Sequence, residues 1–152
     1  SFYMGYDQGP RPDAEWNVRA DVRSAQKFMT SGVPIFLAGL DVTAPVKFPP
    51  ERRLMLSMRH SPLTDAICGL YTLWAGDRLD ATPTLFDPVA VAMALDTGHV
   101  SGRAVHVRVT DDGYTVVDES KTPNCFIGLH VTRDGILAWI SRRLIHQNLM
   151  RE

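Results

Sequence analysis

The sequence is poor in cysteine and has no long hydrophobic run, and each shortage argues against a class of protein. Cys68 and Cys125 are the two cysteines among 152 residues, and they form no CxxC pair. Buried free thiols are therefore a better interpretation than a disulfide or a zinc site. The longest apolar run is too short to span a bilayer, and no signal peptide is visible. We expect a cytoplasmic protein without a membrane partner.

The sequence also lacks an excess of charge of either sign. The formal net charge is −1, with 45% apolar and 22% charged residues, which is the composition of a soluble globular domain. Without a basic stripe, no binding to nucleic acid is expected. The residues Ser1 to Gly5 begin without a methionine and read as a strand already under way. We therefore expect a fragment, a processed chain or one part of a split protein, in which residues 1–152 belong to a larger domain.

The first part of the chain predicts a strand–helix–strand unit. Residues 2–4 form a short apolar strand, and a loop rich in Gly and Pro follows. Asp21 is a plausible N-cap of the next helix, and Gly32 is its stop signal. The continuous apolar run at 34–40 indicates a strand covered on both faces. This order is typical of a parallel sheet.

Three helices are predicted in the middle of the chain. The first two begin near prolines, and their predicted buried residues are Leu54, Met55 and Met58, then Ile67, Leu70, Tyr71 and Trp74. In the third, residues 89–95 are apolar nearly all round. A helix of that composition is expected to be buried, with Asp87 at its N-terminus.

The last part predicts a hairpin, a strand and a closing helix. Residues 103–110 alternate strictly, residues 111–113 form a turn, and residues 114–117 return. A strand is predicted from Cys125 to Val131, and Asp134 then caps a helix whose inward residues are Ile136, Leu137, Ile140, Leu144 and Ile145. The predicted fold class is α/β, with an open, mostly parallel sheet flanked by helices.

Glu15 and Asn17 are the first candidate site residues. They flank Trp16 in a loop after a predicted strand, and ligands of open α/β sheets bind beyond such strand ends. An extended chain would point both polar groups to one side, with Trp16 turned away, where they could bind sugar hydroxyls. The alternative, which the residue types favour, is a loop that caps the helix at Asp21.

Asp87 is the sharper candidate. A carboxylate at the start of an apolar helix is either an N-cap, the more common role, or a ligand for a cation such as Ca²⁺ or Mg²⁺. Phe86 beside it either packs in the core or stacks on a planar ligand. Asp41 also follows a buried strand, but formation of a turn or cap is the better interpretation. The five histidines are scattered, and none is expected to be a catalytic base.

The strings that contain these residues resemble one known family. Ala14-Glu15-Trp16-Asn17, Leu40-Asp41-Val42-Thr43 and Phe86-Asp87-Pro88 resemble, in order and spacing, segments of the inosine–uridine-preferring nucleoside hydrolases. Met4-Gly5 is similar to the end of a preceding strand in that family. The resemblance implies a nucleoside hydrolase-like fold, of which residues 1–152 would be the C-terminal portion.

The resemblance also implies roles for individual residues. Glu15 and Asn17 would hold the ribose, chiefly at its 5′ end, and Met4 and Phe86 would be further substrate contacts. Asp87 would coordinate Ca²⁺ and touch a ribose hydroxyl. The ion would bind the 2′- and 3′-hydroxyls and an attacking water, whose pKa it lowers so that a carboxylate can remove the proton. The products would be free base and ribose.

Three departures from the family pattern qualify this expectation. The N-terminal Asp-rich motif, which supplies the other metal ligands and the general base, is absent from the chain, so no catalytic residue is expected here. Phe86 occupies a position where members that accept pyrimidines often carry His, which favours purine nucleosides. Gln8 is the nearest amide where the family often has Asn.

Two functional hypotheses follow. The first is a nucleoside N-ribohydrolase that becomes active only when an N-terminal half or a second chain completes it, in a homo-oligomer. The alternative is a non-catalytic nucleoside-binding, ribose-binding or assembly module that has lost the metal site. In either case half of a sheet exposes an edge and an apolar face, so the isolated chain is expected to dimerise, exchange elements or require its partner.

Overall fold

The computed structural model describes residues 2–3, 14–78, 80–95 and 97–147. Their strands are β1 (Phe2–Tyr3), β2 (Phe36–Leu37), β3 (Val100–Val105), β4 (Val107–Val109), β5 (Thr115–Val117) and β6 (Cys125–Val131). Their helices are α1 (Trp16–Ala20), α2 (Val22–Met29), α3 (Leu40–Thr43), α4 (Pro50–Ser57), α5 (Pro62–Ala75), α6 (Phe86–Ala94) and α7 (Arg133–His146). The predicted site residue Met4, with Gly5 and Gln8, lies outside the described residues.

The strands form two mixed sheets, in the orders β1-β5-β4 and β2-β6-β3. The pairs β1–β5 and β2–β6 are parallel, whereas β3–β6 and β4–β5 are antiparallel. The predicted α/β architecture is therefore confirmed, and so are the hairpin and the closing helix. The prediction that the first two strands share one parallel sheet is wrong, because β1 pairs with the hairpin strand β5 and β2 pairs with β6.

The segment predicted as one alternating strand passes from one sheet to the other. Val105, Val107 and Val109 are all buried, as the alternation predicted. His106 interrupts the strand between them, and its Nδ1 lies 2.9 Å from the carbonyl oxygen of Thr122. The apolar face therefore continues through the break and joins the two sheets in one core cluster, which contains Met29, Ile35, Val105, Val107, Val109, Cys125 and Ile127.

The predicted strand at 34–40 is much shorter than expected. Regular pairing covers Phe36–Leu37, and Gly39 is already the N-cap of α3. Among the described residues β2 lies at the edge of its sheet, and Phe36 is exposed. The prediction of a strand covered on both faces is therefore wrong. Only two residues pair before the chain turns into helix α3, and within the described chain the Phe36 ring is not covered.

The helix boundaries follow local signals, whereas several predicted buried faces are wrong. Asp21 caps α2 through the amide of Ser24, and Gly32 has a φ of 81°, as expected of a helix stop. The exposed large apolar residues include Leu54, Met55, Met58, Leu70 and Trp74. Helix α4 instead buries Leu56, because that side points to the second core cluster, which consists of Val46, Phe48, Leu56, Val89, Ala92, Ile136, Leu137 and Ile140.

The remaining sequence predictions concern β6, α7, the cysteines and membrane spans. Strand β6 has the predicted limits. Thr132, one residue before α7, is its N-cap, and Asp134 lies in the first turn. Cys125 is buried and Cys68 is half-buried, and both are free thiols as predicted. No helix within the described residues combines the length and apolar character needed to cross a bilayer.

Candidate functional site

Glu15, Asn17, Phe86 and Asp87 line a single cleft of about 560 Å³. We call it the β2 cleft, because β2 and the residues that follow it line the cleft together with residues from the first turns of α1, α3 and α6. Ligands of α/β proteins bind at such strand ends, and the volume is that of a small-molecule site. Four candidates that are up to 72 positions apart in sequence (15 and 87) are thus brought together.

Glu15 is the N-cap of helix α1. Its Oε2 accepts a hydrogen bond from the amide of Val18 at 3.0 Å, and its Oε1 accepts one from Nδ2 of Asn17 at 3.1 Å. The expected extended conformation is therefore wrong, because residues 16–20 are helical. The capping alternative is correct in kind, although the capped helix is α1 and Asp21 caps α2 by itself. Each Glu15 oxygen keeps a second lone pair that can accept from a ligand.

Trp16 and Phe36 are cleft residues that the sequence did not reveal. Trp16 is 79% exposed and lines the cleft, although the extended interpretation turned it away. Phe36 also lines the cleft, and the centroid of its ring lies 6.0 Å from that of the Phe126 ring. A large aromatic side chain exposed beside polar groups is typical of a binding surface, but the sequence gives no sign of that exposure.

Asp87 is the second residue of α6. Leu85 is the N-cap position of this helix, and no side-chain capping bond forms there. Within the described residues no hydrogen bond or ion pair reaches the exposed carboxylate of Asp87. The N-cap interpretation is therefore wrong. The positive end of the helix dipole favours a negative charge at this place, so the structure presents an anionic oxygen pair to the cleft.

Phe86 and Asp41 complete the predicted set. Phe86 is 46% exposed and lines the cleft, so its ring is not a core residue within the described chain. Asp41 lies in the first turn of α3, is exposed, and is not among the residues that line the β2 cleft. The interpretation of Asp41 as a residue of a turn or helix start fits this position.

Asp87 also borders a second cleft, of about 550 Å³, between α4, α5, α6 and α7. We call it the helical cleft, and its lining is largely apolar. The guanidinium of Arg53 lies 4.4 Å from the ring centre of Tyr71, and that of Arg143 lies 4.5 Å from that of Trp139. Helix α6 thus separates a cleft with polar groups from an apolar one.

Residues 4–138 match the sequence profile of the family described as inosine-uridine preferring nucleoside hydrolase. The chain belongs to this family. Its resemblance to the family, inferred above from short strings, is confirmed. Nucleoside hydrolases act on nucleosides, and the family commonly binds a metal ion.

The relatives of this nucleoside hydrolase chain are about twice as long. The pyrimidine-specific ribonucleoside hydrolase RihA of Klebsiella pneumoniae is 28% identical over 149 residues, and the match covers 88% of this chain and 48% of the relative. A plant nucleoside hydrolase has a TM-score of 0.76 at 21% identity, with 90% of this chain and 49% of that chain covered. The purine-preferring ribonucleoside hydrolase of Gardnerella vaginalis has a TM-score of 0.67 at 19% identity, covering 88% and 48%. The nucleoside hydrolase fold is therefore confirmed, and the chain spans about half the length of these relatives.

The donor groups of this nucleoside hydrolase chain do not make a complete metal site. No group of three or more His, Cys, Asp or Glu residues that could hold an ion exists within the described part of the chain. Calcium takes about six to eight oxygen ligands. The β2 cleft offers the free carboxylate of Asp87, whereas both oxygens of Glu15 already accept hydrogen bonds. An ion bound there would need further oxygens from elsewhere.

Proposed function

We propose that this chain supplies the sugar-binding half of a nucleoside N-ribohydrolase, which cleaves ribonucleosides to free base and ribose. The observation that carries the proposal is the convergence of Glu15, Asn17, Phe86 and Asp87 on the β2 cleft. In this proposal an N-terminal half, on the same polypeptide or on a second chain, completes the site with the general base and the remaining ligands of a Ca²⁺ ion. The complete protein is a cytoplasmic homo-oligomer.

Glu15 and Asn17 bind the ribose hydroxyls in this proposal. The hydrogen bond between them fixes both side chains before the sugar arrives, which lowers the entropic cost of binding. The Oδ1 atom of Asn17 accepts from one sugar hydroxyl, and the spare lone pairs of Glu15 accept from another. Met4, outside the described residues, is kept as a further proposed contact.

Asp87 is the one metal ligand that we assign to this chain, and it also accepts from a ribose hydroxyl. Positive charge develops on the sugar as the glycosidic bond breaks. Carboxylates fixed near that charge stabilise it more than they stabilise the neutral substrate, which lowers the barrier. In this proposal the attacking water and the general base are held by the N-terminal half.

Phe86 favours purine nucleosides as substrates. Its exposed ring is adjacent in sequence to Asp87 and lines the same cleft, so it can stack on a base whose ribose is held by Asp87. The larger purine ring system gives more stacking area than a pyrimidine. The relatives named above are described as pyrimidine-specific in one case and purine-preferring in another.

A non-catalytic nucleoside- or ribose-binding module, or an assembly module, is the second candidate. It is favoured by one observation, namely that the described cleft holds a single carboxylate free of protein hydrogen bonds. Such a cleft can bind a sugar without an ion, because neutral hydroxyls need hydrogen-bond partners but no cation.

The test is the substitution Asp87→Ala in the complete protein. We expect release of free base, measured by chromatography with inosine and Ca²⁺, to fall at least about 100-fold, because both an ion ligand and a sugar contact are lost. Asp65→Ala is the matched control, since Asp65 also lies in the first turn of its helix but lines neither cleft. Unchanged turnover in Asp87→Ala removes Asp87 from the mechanism.

A further inference from the structure

Helix α6 has an uncovered apolar face. Val89, Ala92 and Met93 are its buried residues. At about 100° per residue, the exposed positions occupy the other half of the helix circumference. These positions are Phe86, Asp87, Ala90, Val91, Ala94 and Leu95 at the helix end, and we call them the α6 face.

The α6 face has one polar residue among six. Val91 is 53% exposed and Leu95 is 57% exposed. A helix that is apolar around its whole circumference is normally buried on every side. A contiguous exposed apolar surface on such a helix therefore marks an interface. Ala90 and Ala94 are small and one turn apart, which lets a second backbone element approach closely. The composition of the face therefore indicates a partner.

The position of the face indicates which partner. Phe86, Asp87 and Ala90 line the β2 cleft, and Asp87 and Val91 line the helical cleft. Whatever covers the face must lie directly beside the Asp87 carboxylate. In the described part of the chain no group of three or more His, Cys, Asp or Glu side chains surrounds that place, and about half of the relatives' length is not matched by this chain.

We propose that the α6 face is the docking surface for the complementary half of the nucleoside hydrolase fold. The half buries an apolar surface on Val91 and Leu95 and leaves the Phe86 ring open to the β2 cleft, and its carboxylates meet Asp87 at the mouth of that cleft. The inference rests on the proposed function, because that function identifies the complementary half as the partner. The docking itself requires neither a bound ion nor catalytic turnover. Docking on helix α6 would thus complete both the fold and the binding site.

Thiol labelling tests the proposal. The N-terminal half of the Klebsiella pneumoniae relative is fused ahead of the full chain, and Val91→Cys is introduced into the fusion and into the isolated chain, both carrying Cys68→Ser. Leu73→Cys in the same background is the control, because Leu73 is 82% exposed on α5 and lines neither cleft. We expect labelling of the thiol at position 91 to be at least about tenfold slower in the fusion, since protection follows burial. Labelling at position 73 should be equally fast in both.

Two outcomes of the labelling experiment overturn the proposal, and a third separates it from the proposed catalysis. If the thiol at position 91 labels equally fast in both proteins, the complementary half does not cover the α6 face, whether the halves fail to associate or associate elsewhere. Protection at position 91 in the isolated chain that grows with protein concentration assigns the face to a second copy instead. A fusion that protects position 91 but releases no base from inosine retains the docking surface and counts against the proposed catalysis alone.

Discussion

Asp21 fixes the start of α2 with both oxygens of one carboxylate. Its Oδ1 accepts from the amide of Ser24 at 2.9 Å, and its Oδ2 accepts from Oγ of the same residue at 2.7 Å. The backbone hydrogen bond first, and then the hydroxyl bond, hold the pKa of the Asp21 carboxyl below its ordinary value of 3.8. The folded state therefore favours the ionised cap.

This lowered pKa predicts an acid-dependent stability. The contribution of the ionised cap is fully present above the pKa of the unfolded chain, about 4, and is lost as pH falls through the lower pKa of the folded state. We expect Asp21→Ala to lower the melting temperature at about pH 7, and the difference from the unsubstituted chain to shrink below about pH 4. Thermal unfolding followed by circular dichroism at several pH values measures it. A difference that stays constant down to about pH 2 contradicts the role of the ionised cap.

Glu15 shows what a sequence can predict at the scale of one residue. The residue types placed Glu15 and Asn17 after one strand and Phe86 and Asp87 at the start of a helix, and only the family resemblance grouped them, whereas the structure brings all four to the β2 cleft. Glu15 is extended as predicted, but the prediction fails at Trp16 and Asn17, since a five-residue helix begins at Trp16 and its hydrophobic pattern is too short to detect. The exposure of Trp16 was also missed, because exposure depends on which elements pack nearby.

At the scale of elements, the pair β3–β6 depends on the absence of a side chain. The register of this pair shifts between Ser101 and Gly102, and a Cβ atom on Gly102 would overlap the carbonyl oxygen of Ile127 and lie 2.7 Å from its carbonyl carbon. Both atoms belong to the backbone, so the strands must separate to make room. A β-bulge at this point explains why a glycine occurs within a strand.

The glycine at the bulge predicts a contrast between two substitutions. We expect Gly102→Ala to reduce the free energy of unfolding by more than about 3 kcal/mol, because backbone atoms cannot move aside cheaply. Gly69→Ala is the control: it lies within α5 with no atom within 4 Å of the added Cβ, and it should stabilise by about 0.5–1 kcal/mol. Urea unfolding measures both. Equal stability of the two variants would contradict the register described here.

Strands β2 and β6 and helix α6 show why elements are only partly predictable. The limits of β6 were predicted correctly from a long apolar run between turn signals. The runs that became β2 and α6 were equally apolar, and both were predicted to be buried, yet Phe36 and Val91 are exposed. A hydrophobic pattern indicates that a surface is buried in the complete protein. It does not indicate whether the element that buries it belongs to the same chain.

At the scale of the whole molecule, the described residues have a core of their own but no group of three or more His, Cys, Asp or Glu residues that could hold a metal ion. Two buried clusters hold their helices and sheets together, whereas the β2 cleft has one carboxylate free to bind an ion. A calcium ion should stabilise the complete protein and leave the isolated chain unchanged, because one carboxylate replaces few of its about six to eight ligands.

Thermal unfolding with and without a chelator tests this difference. A ligand at about 100 times its Kd stabilises a folded protein by about 2.7 kcal/mol, so we expect EDTA to lower the melting temperature of the complete protein by several degrees. The isolated chain should have the same melting temperature in three conditions, namely with Ca²⁺, with EDTA, and with EDTA plus inosine. If inosine raises the melting temperature of the isolated chain in EDTA, its cleft binds nucleoside without an ion or a second half. The binding module would then be the better description of this chain, because the sugar contacts of Glu15 and Asn17 would suffice on their own.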